Sequence, residues 1–168
     1  MFGHPTRGTR LTKSNRIPGN IPLVTAGYEN TGVAEWISNE DQKTFPSGLT
    51  IDMFGNCFYR KYDFKADDNI LVFDDVNMSE RTKIFVASQI NKCLAGHYSY
   101  GKQFRLNSFK STYVSLPVNQ NGELNLFFMD SFIAELEAQR IAELEAYLKV
   151  TGLNNYELTE RDQLCKVK

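Results

Sequence analysis

Residues 131 to 149 read SFIAELEAQRIAELEAYLK, a run without glycine or proline in which an eight-residue unit occurs twice, IAELEAQR at 133–140 and IAELEAYL at 141–148. Ala, Leu, Glu, Gln and Arg are strong helix formers, so the run predicts one long helix. Asp130 is a candidate N-cap before it, and Gly152 stands where a C-terminal glycine ends a helix. Twenty helical residues span roughly 30 Å. At about 100° per residue, Ile133, Leu136, Ile141, Leu144, Tyr147 and Leu148 share one face, with Glu137 and Arg140 also inside it. Most amphipathic stripes cover the chain's own core. This one follows the rest of the domain, has no later apolar element to pack beneath it and persists for about five turns, so a protruding helix that pairs with a partner helix is the preferred reading.

Upstream the composition changes. Ten of the eleven glycines and all five prolines lie before Glu123, and the remaining 46 residues hold only Gly152. Short apolar runs separated by Gly, Asn and Asp turns predict strands at IPLVTA (21–26), GLTID (48–52), CFYR (57–60), ILVF (70–73) and TYVSL (112–116). One segment differs: Ile84, Phe85, Val86, Ala87, Ile90 and Leu94 recur at helical spacing after a plausible cap, Ser79, which predicts an internal helix from about Ser79 to Leu94. The fold class is therefore α+β: a compact β-rich domain with a short internal helix over 1–128, one long amphipathic helix over 129–152, and a tail over 153–168.

A length of 168 residues with 42% hydrophobic and 23% charged composition suits one globular domain with an appendage and excludes a disordered or collagen-like chain. Cys57, Cys93 and Cys165 are odd in number and far apart, which suits neither a disulfide framework nor a zinc site. The expected compartment is the reducing cytoplasm. No apolar run approaches the roughly 20 residues of a membrane span, and the opening MFGHPTRGTRLTKSNR lacks the apolar core of a secretory signal.

A search for catalytic constellations mostly fails. The chain has no GxSxG, GxxxxGK[ST] or GxGxxG, and neither His4 nor His97 has a nearby Cys or His to make a metal pair. Asp67 and Asp68, and Asp74 and Asp75 with Glu80 and Lys83, leave a small magnesium-dependent nuclease as an alternative. Asp-Asp-Asn between apolar runs is also ordinary turn chemistry, which is the favoured reading. No cofactor is expected.

The formal net charge of −1 hides an uneven distribution. Residues 1–28 carry Arg7, Arg10, Lys13 and Arg16 without an acid, residues 1–128 net +2, and residues 129–168 net −3. A second basic group is YSYGKQFR (98–105), where Tyr98, Tyr100 and Phe104 are interleaved with Lys102 and Arg105. Aromatic and cationic side chains on a glycine-containing loop suit a nucleic-acid backbone, and equally a solvated loop anchored by its rings. The loop TAGYENTG (25–32) offers Thr25, Asn30 and Thr31 to base edges, or is a polar hairpin turn.

As a set, RGTRLTKSNRIPGNIPLVTAGYENTGVAEWIS (7–38), LTIDMFGNCFYRKYDFKADDNI (49–70), YSYGKQFR and VSLPV resemble the target recognition domain of restriction-modification specificity subunits, of type I and related type II systems. FFMDSFIAELEAQRIAELEAYLKVTGL (127–153) is similar to the helical conserved spacer that follows such a domain. The resemblance implies a domain that docks on double-stranded DNA, reads a half-site mainly through loops in the major groove and performs no chemistry itself. It implies that Arg7, Arg10, Lys13, Arg16, Lys102 and Arg105 neutralise phosphates, and that Thr25, Tyr28, Asn30, Tyr98 and Tyr100 lie near bases or sugars. A full subunit of the family carries two recognition domains joined by antiparallel helices that also contact the methyltransferases. One domain with one helix suggests a half subunit, a truncated product or a fragment. Its expected partners are a second copy, the modification methyltransferase and restriction subunits, with no membrane. A helix-mediated adaptor is the remaining alternative. The apolar IDMFG stretch is assigned to the core, with a backbone or Arg partner expected for Asp52.

Overall fold

The computed structural model describes residues 2–153. It contains eight strands, β1 (Thr6–Arg7), β2 (Pro18–Val24), β3 (Val33–Ile37), β4 (Thr44–Phe45), β5 (Gly48–Asp52), β6 (Cys57–Arg60), β7 (Phe64–Ala66) and β8 (Ile70–Phe73), and three helices, α1 (Glu80–Leu94), α2 (Leu106–Ser111) and α3 (Leu126–Thr151). The α+β class is the observed one. The described residues up to Ser131 belong to one compact unit, and those from Phe132 to Leu153 belong to a second. Beyond Leu153 the expected tail lies outside the described residues, as does Cys165.

Two four-stranded sheets build the first unit, in the orders β1-β8-β5-β6 and β3-β2-β7-β4. Every pairing is antiparallel except β2 with β7, whose parallel register sets Leu23 opposite Lys65 and Val24 opposite Ala66. GLTID, CFYR and ILVF form strands at the expected bounds because β-branched and aromatic residues fill them and turn formers flank them. Every residue of β5 and β8 is buried; β8 reads as a continuous apolar run, whereas β5 also buries the polar Thr50 and Asp52. Phe45 stacks on its cross-strand partner Phe64, with ring centroids 5.6 Å apart, in a core cluster with Val24, Ala66, Ile70 and Val72. Leu11, Leu23 and Ile37 form another.

Helix α1 starts as its sequence predicts: the Thr82 amide donates to Ser79 Oγ at 3.1 Å. It buries Phe85, Val86, Ala87, Ile90 and Leu94. On this helix Asn91 brackets one residue of the edge strand β6, accepting from Cys57 N–H at 2.6 Å and donating to Cys57 C=O at 2.8 Å. A side-chain amide thus takes the place of a neighbouring strand.

Three sequence expectations are corrected. TYVSL is not a strand: Thr112 Oγ1 donates back to the Ser108 carbonyl at 2.7 Å, Tyr113 is exposed, and only an isolated bridge, Val118 with Leu124, follows. High β-propensity without a partner edge makes no ladder. Second, α2 was not foreseen, because six residues are too few for a helical period to show. Third, α3 starts before Asp130. Asn125 Oδ1 accepts the Phe128 amide at 3.0 Å, and Asp130 instead hydrogen-bonds Ser79 and pairs with Arg81 at 3.9 Å. A carboxylate at the N-terminus of α1 also suits that helix's dipole.

Candidate nucleic-acid interface

The basic N-terminal stretch is held on the sheet by its own ion pairs. Arg7 on β1 donates through Nη2 to Asp68 Oδ2 at 3.0 Å and through Nε to the Asp68 carbonyl, and remains exposed. Asp67 Oδ1 accepts the Leu11 amide at 3.1 Å. A helical turn at Lys13–Asn15 follows, and Arg16, largely covered, donates to Glu35 Oε1 at 3.0 Å. Asn39 fastens this stretch from beneath, accepting from Ile17 N–H and donating to Asn15 C=O, both at 2.9 Å.

Arg10, Lys13 and Arg16 line one polar depression of about 440 Å³, and Arg105 joins them there from about ninety residues away in the chain, beside Asp67, Asp68 and Asn69. Arg105 is set by Asn69 Oδ1 at 3.1 Å and by Gln103. Both acids of the depression have structural employment, Asp68 on Arg7 and Asp67 on the Leu11 amide. Lys102 is exposed and lies elsewhere, its Nζ 5.7 Å from the centre of the Tyr98 ring. Arg7 is not among the lining residues.

The loop at 25–32 closes through Thr25 N–H on the Gly32 carbonyl at 2.8 Å. Its tip leaves Tyr28, Glu29, Asn30 and Thr31 exposed, whereas Thr25 is half-buried. Tyr28 leans on Phe58, with ring centroids 5.7 Å apart. Asn30 and Thr31 have φ of 46° and 51°, the only positive values at non-glycine positions among the described residues. Two consecutive left-handed residues, one of them β-branched, are strained. Arg60, 2% exposed, offsets the strain by donating to Thr31 Oγ1 at 3.1 Å and to the Thr31 carbonyl, while its Nε reaches Thr50 Oγ1 at 3.2 Å. Burial lowers the Arg60 pKa from its ordinary value.

Asp52 has backbone partners, as expected, and more than one. Its Oδ1 accepts the amides of Phe54 and Asn56, and its Oδ2 accepts Gly27 N–H and Asn56 Nδ2, all at 2.8–2.9 Å. This carboxylate therefore joins the 25–32 loop to the turn after β5. The 98–105 segment is tied to the same turn: Phe104 N–H donates to the Met53 carbonyl at 2.7 Å, and Tyr100 meets Phe54 edge to face at 5.0 Å. Ile51 and Met53 are buried as assigned, but Phe54 is half-buried. Tyr98 packs on the buried Phe104 with centroids 5.1 Å apart, so Tyr98 anchors the segment and Tyr100, 79% exposed, is the ring it presents. Sequence reasoning anticipated a backbone partner for Asp52 but missed its reach to Gly27, 25 residues away, and missed the role of Arg60, whose partner Thr31 lies 29 residues away.

The acids considered for a nuclease are dispersed into other tasks. Asp74 Oδ1 pairs with the buried Lys83 Nζ at 2.7 Å, and Asp75 Oδ1 caps a turn by accepting Asn77 N–H at 3.0 Å. No cluster of three or more His, Cys, Asp or Glu suited to a metal occurs among the described residues.

Along α3, Leu136, Ile141, Leu144 and Tyr147 are exposed and Leu148 is half-buried, whereas Ile133 is buried. The Arg140 side chain within the stripe pairs with Glu143 at 2.7 Å. No helix of the described residues is long and apolar enough to cross a membrane.

A family model for the type I restriction modification DNA specificity domain matches residues 4–146. Over 135 residues the chain is 26% identical to the specificity subunit S.BcgI of a type II restriction enzyme from Heyndrickxia coagulans, covering 77% of this chain and 39% of that protein. Its fold matches the S subunit of a type I restriction-modification system from M. genitalium with a TM-score of 0.59 at 12% identity, over 89% of this chain and 40% of that one. A second match, from a structure of type I restriction-modification complex assembly and conformational transition, has a TM-score of 0.57 at 14% identity, with the same 89% and 40% coverage. The chain thus spans about two fifths of the length of these relatives.

Proposed function

The chain belongs to the family of type I restriction-modification DNA specificity domains, and from that membership we propose that it is a specificity half subunit that reads one half-site of a duplex target. It supplies recognition to a cytoplasmic restriction-modification complex and performs no chemistry itself. The observation that carries this reading is the meeting of Arg10, Lys13, Arg16 and Arg105 in one polar depression, a set of cations of the kind that neutralises phosphates. The 25–32 loop and the 98–105 segment, both bound to the Asp52 turn, carry the residues that approach bases and sugars: Tyr28, Asn30 and Tyr100 from exposed positions, with the half-buried Thr25 and Tyr98 behind them. Arg7, paired with Asp68 of the depression, adds a phosphate contact at its margin, and Lys102 adds one away from it.

The long helix is the spacer and the assembly surface. Leu136, Ile141, Leu144, Tyr147 and Leu148 pair with the helix of a second copy, as a homodimeric coiled coil, and the same helices contact methyltransferase and restriction subunits. Ile133 is already buried and contributes no partner contact.

Fluorescence anisotropy against a randomised duplex pool at several salt concentrations tests this function. The logarithm of the affinity falls linearly with the logarithm of salt as the protein's cations displace counterions from the phosphates. Lys13→Ala weakens binding to all duplexes alike and lowers that slope by about one. Absence of binding, both for the chain alone and with the methyltransferase of its system, refutes it.

A further inference from the structure

A carboxylate at the exposed tip of a DNA-reading loop, next to its two left-handed residues, requires an explanation. Glu29 sits between Tyr28 and Asn30 at the tip, is exposed, and makes no ion pair among the described residues. Against a phosphate backbone an unpaired acid is repelled, so an electrostatic reading of the loop gives it no place.

The loop's construction indicates a fixed geometry. Its two left-handed residues follow Glu29 directly, and the Asn30 side chain donates to the Val33 carbonyl at 3.2 Å. Two buried charged groups hold the tip from below, Arg60 on Thr31 and Asp52 on Gly27. Strain on the order of 1–3 kcal/mol per residue persists where the surroundings over-determine it, and such positions cluster at binding sites. Here it holds Glu29 at a set position at the tip.

We infer that Glu29 is a specificity-determining residue that accepts a hydrogen bond from the N4 amino group of a cytosine in the major groove; this rests on the DNA-reading function proposed above. The major-groove code supports that choice of base. Guanine presents acceptors only, thymine an acceptor and a methyl group, and adenine an amino donor beside the N7 acceptor, which repels a carboxylate. Cytosine presents its amino donor without an adjacent acceptor of its own. Tyr28 and Asn30 flank the contact.

The test is selection of bound duplexes from a randomised pool by the full chain, alone and with its methyltransferase, compared among wild type, Glu29→Gln and Glu29→Ala. Glu29 is exposed and unpaired, so neither variant threatens folding. The wild type enriches cytosine at one position of its site. Glu29→Ala loses that preference, a change on the order of ten-fold in discrimination. Glu29→Gln moves it toward adenine, which a side-chain amide pairs through N6 and N7. The salt slope stays unchanged or steepens slightly in both variants. Identical preferences in all three proteins overturn the assignment of Glu29 while leaving the DNA-reading function standing. A wild type that binds without any sequence preference overturns both.

Discussion

Asp52 Oδ2 accepts the backbone N–H of Gly27 at 2.9 Å, fastening the 25–32 loop to the turn that follows β5. The same carboxylate takes three further hydrogen bonds in a site where it is 4% exposed. Asp52→Ala leaves the amides of Gly27, Phe54 and Asn56 without their acceptor, and the expected loss is about 2–4 kcal/mol of unfolding free energy. Asp52→Asn retains one acceptor oxygen and loses about 1–3 kcal/mol. Urea unfolding followed by circular dichroism measures both, and an alanine variant as stable as wild type would show that the turn does not depend on this carboxylate.

Cys57 is buried, and burial pushes its thiol pKa well above the ordinary value of 9.0, whereas Cys93 is half-buried. In a Cys93→Ser/Cys165→Ser variant, iodoacetamide at pH 8 should modify Cys57 only as fast as the protein unfolds, and promptly in urea. The folded-state pKa is raised, so the protonated thiol imposes no pH dependence below pH 9, and stability falls as pH rises above it because the unfolded chain then loses the proton first. Rapid native-state alkylation at pH 8 would contradict the burial.

Ile141 and Leu144 are 58% and 57% exposed, so replacing both with Glu should change domain stability by no more than about 0.5 kcal/mol. Light scattering on the full chain should nonetheless show loss of self-association, since each knob of a helix pair becomes a charge. An unchanged mass would locate self-association away from this stripe.

Asn125, with its side-chain oxygen on the Phe128 amide, is the effective cap of the long helix. Asn125→Ala should cost about 1 kcal/mol of unfolding free energy. Asp130→Ala should act instead at α1, by removing the partner of Ser79 and Arg81, and its effect should be absent in a Ser79→Ala/Arg81→Ala background.

The elements legible from sequence were those whose signal is local. GLTID, CFYR and ILVF carry their bounds in flanking Gly, Asn and Asp, and α1 carries both its apolar period and its Ser79 cap. TYVSL misleads for the complementary reason: its residues favour a strand, but a strand is completed by an edge that sequence does not display. Asp130 misleads similarly, since a good capping residue was engaged by a different helix. The cations were individually visible as charge, yet only folding carries Arg105 to Arg10, Lys13 and Arg16. The two buried groups that shape the 25–32 loop were less visible still. Nothing near Arg60 or Asp52 in the chain announces a partner across 29 or 25 residues.

The bracket that Asn91 places on Cys57 bears on which surfaces the molecule leaves open to another chain. An open strand edge is adhesive toward any other open edge, and a chain with two adhesive surfaces grows into fibres where a chain with one stops at a closed pair. By occupying both the donor and the acceptor of Cys57, one amide side chain withdraws part of the free edge of β6 from that competition. The exposed stripe of α3 is then left with less rivalry from β6 as a surface offered to another chain.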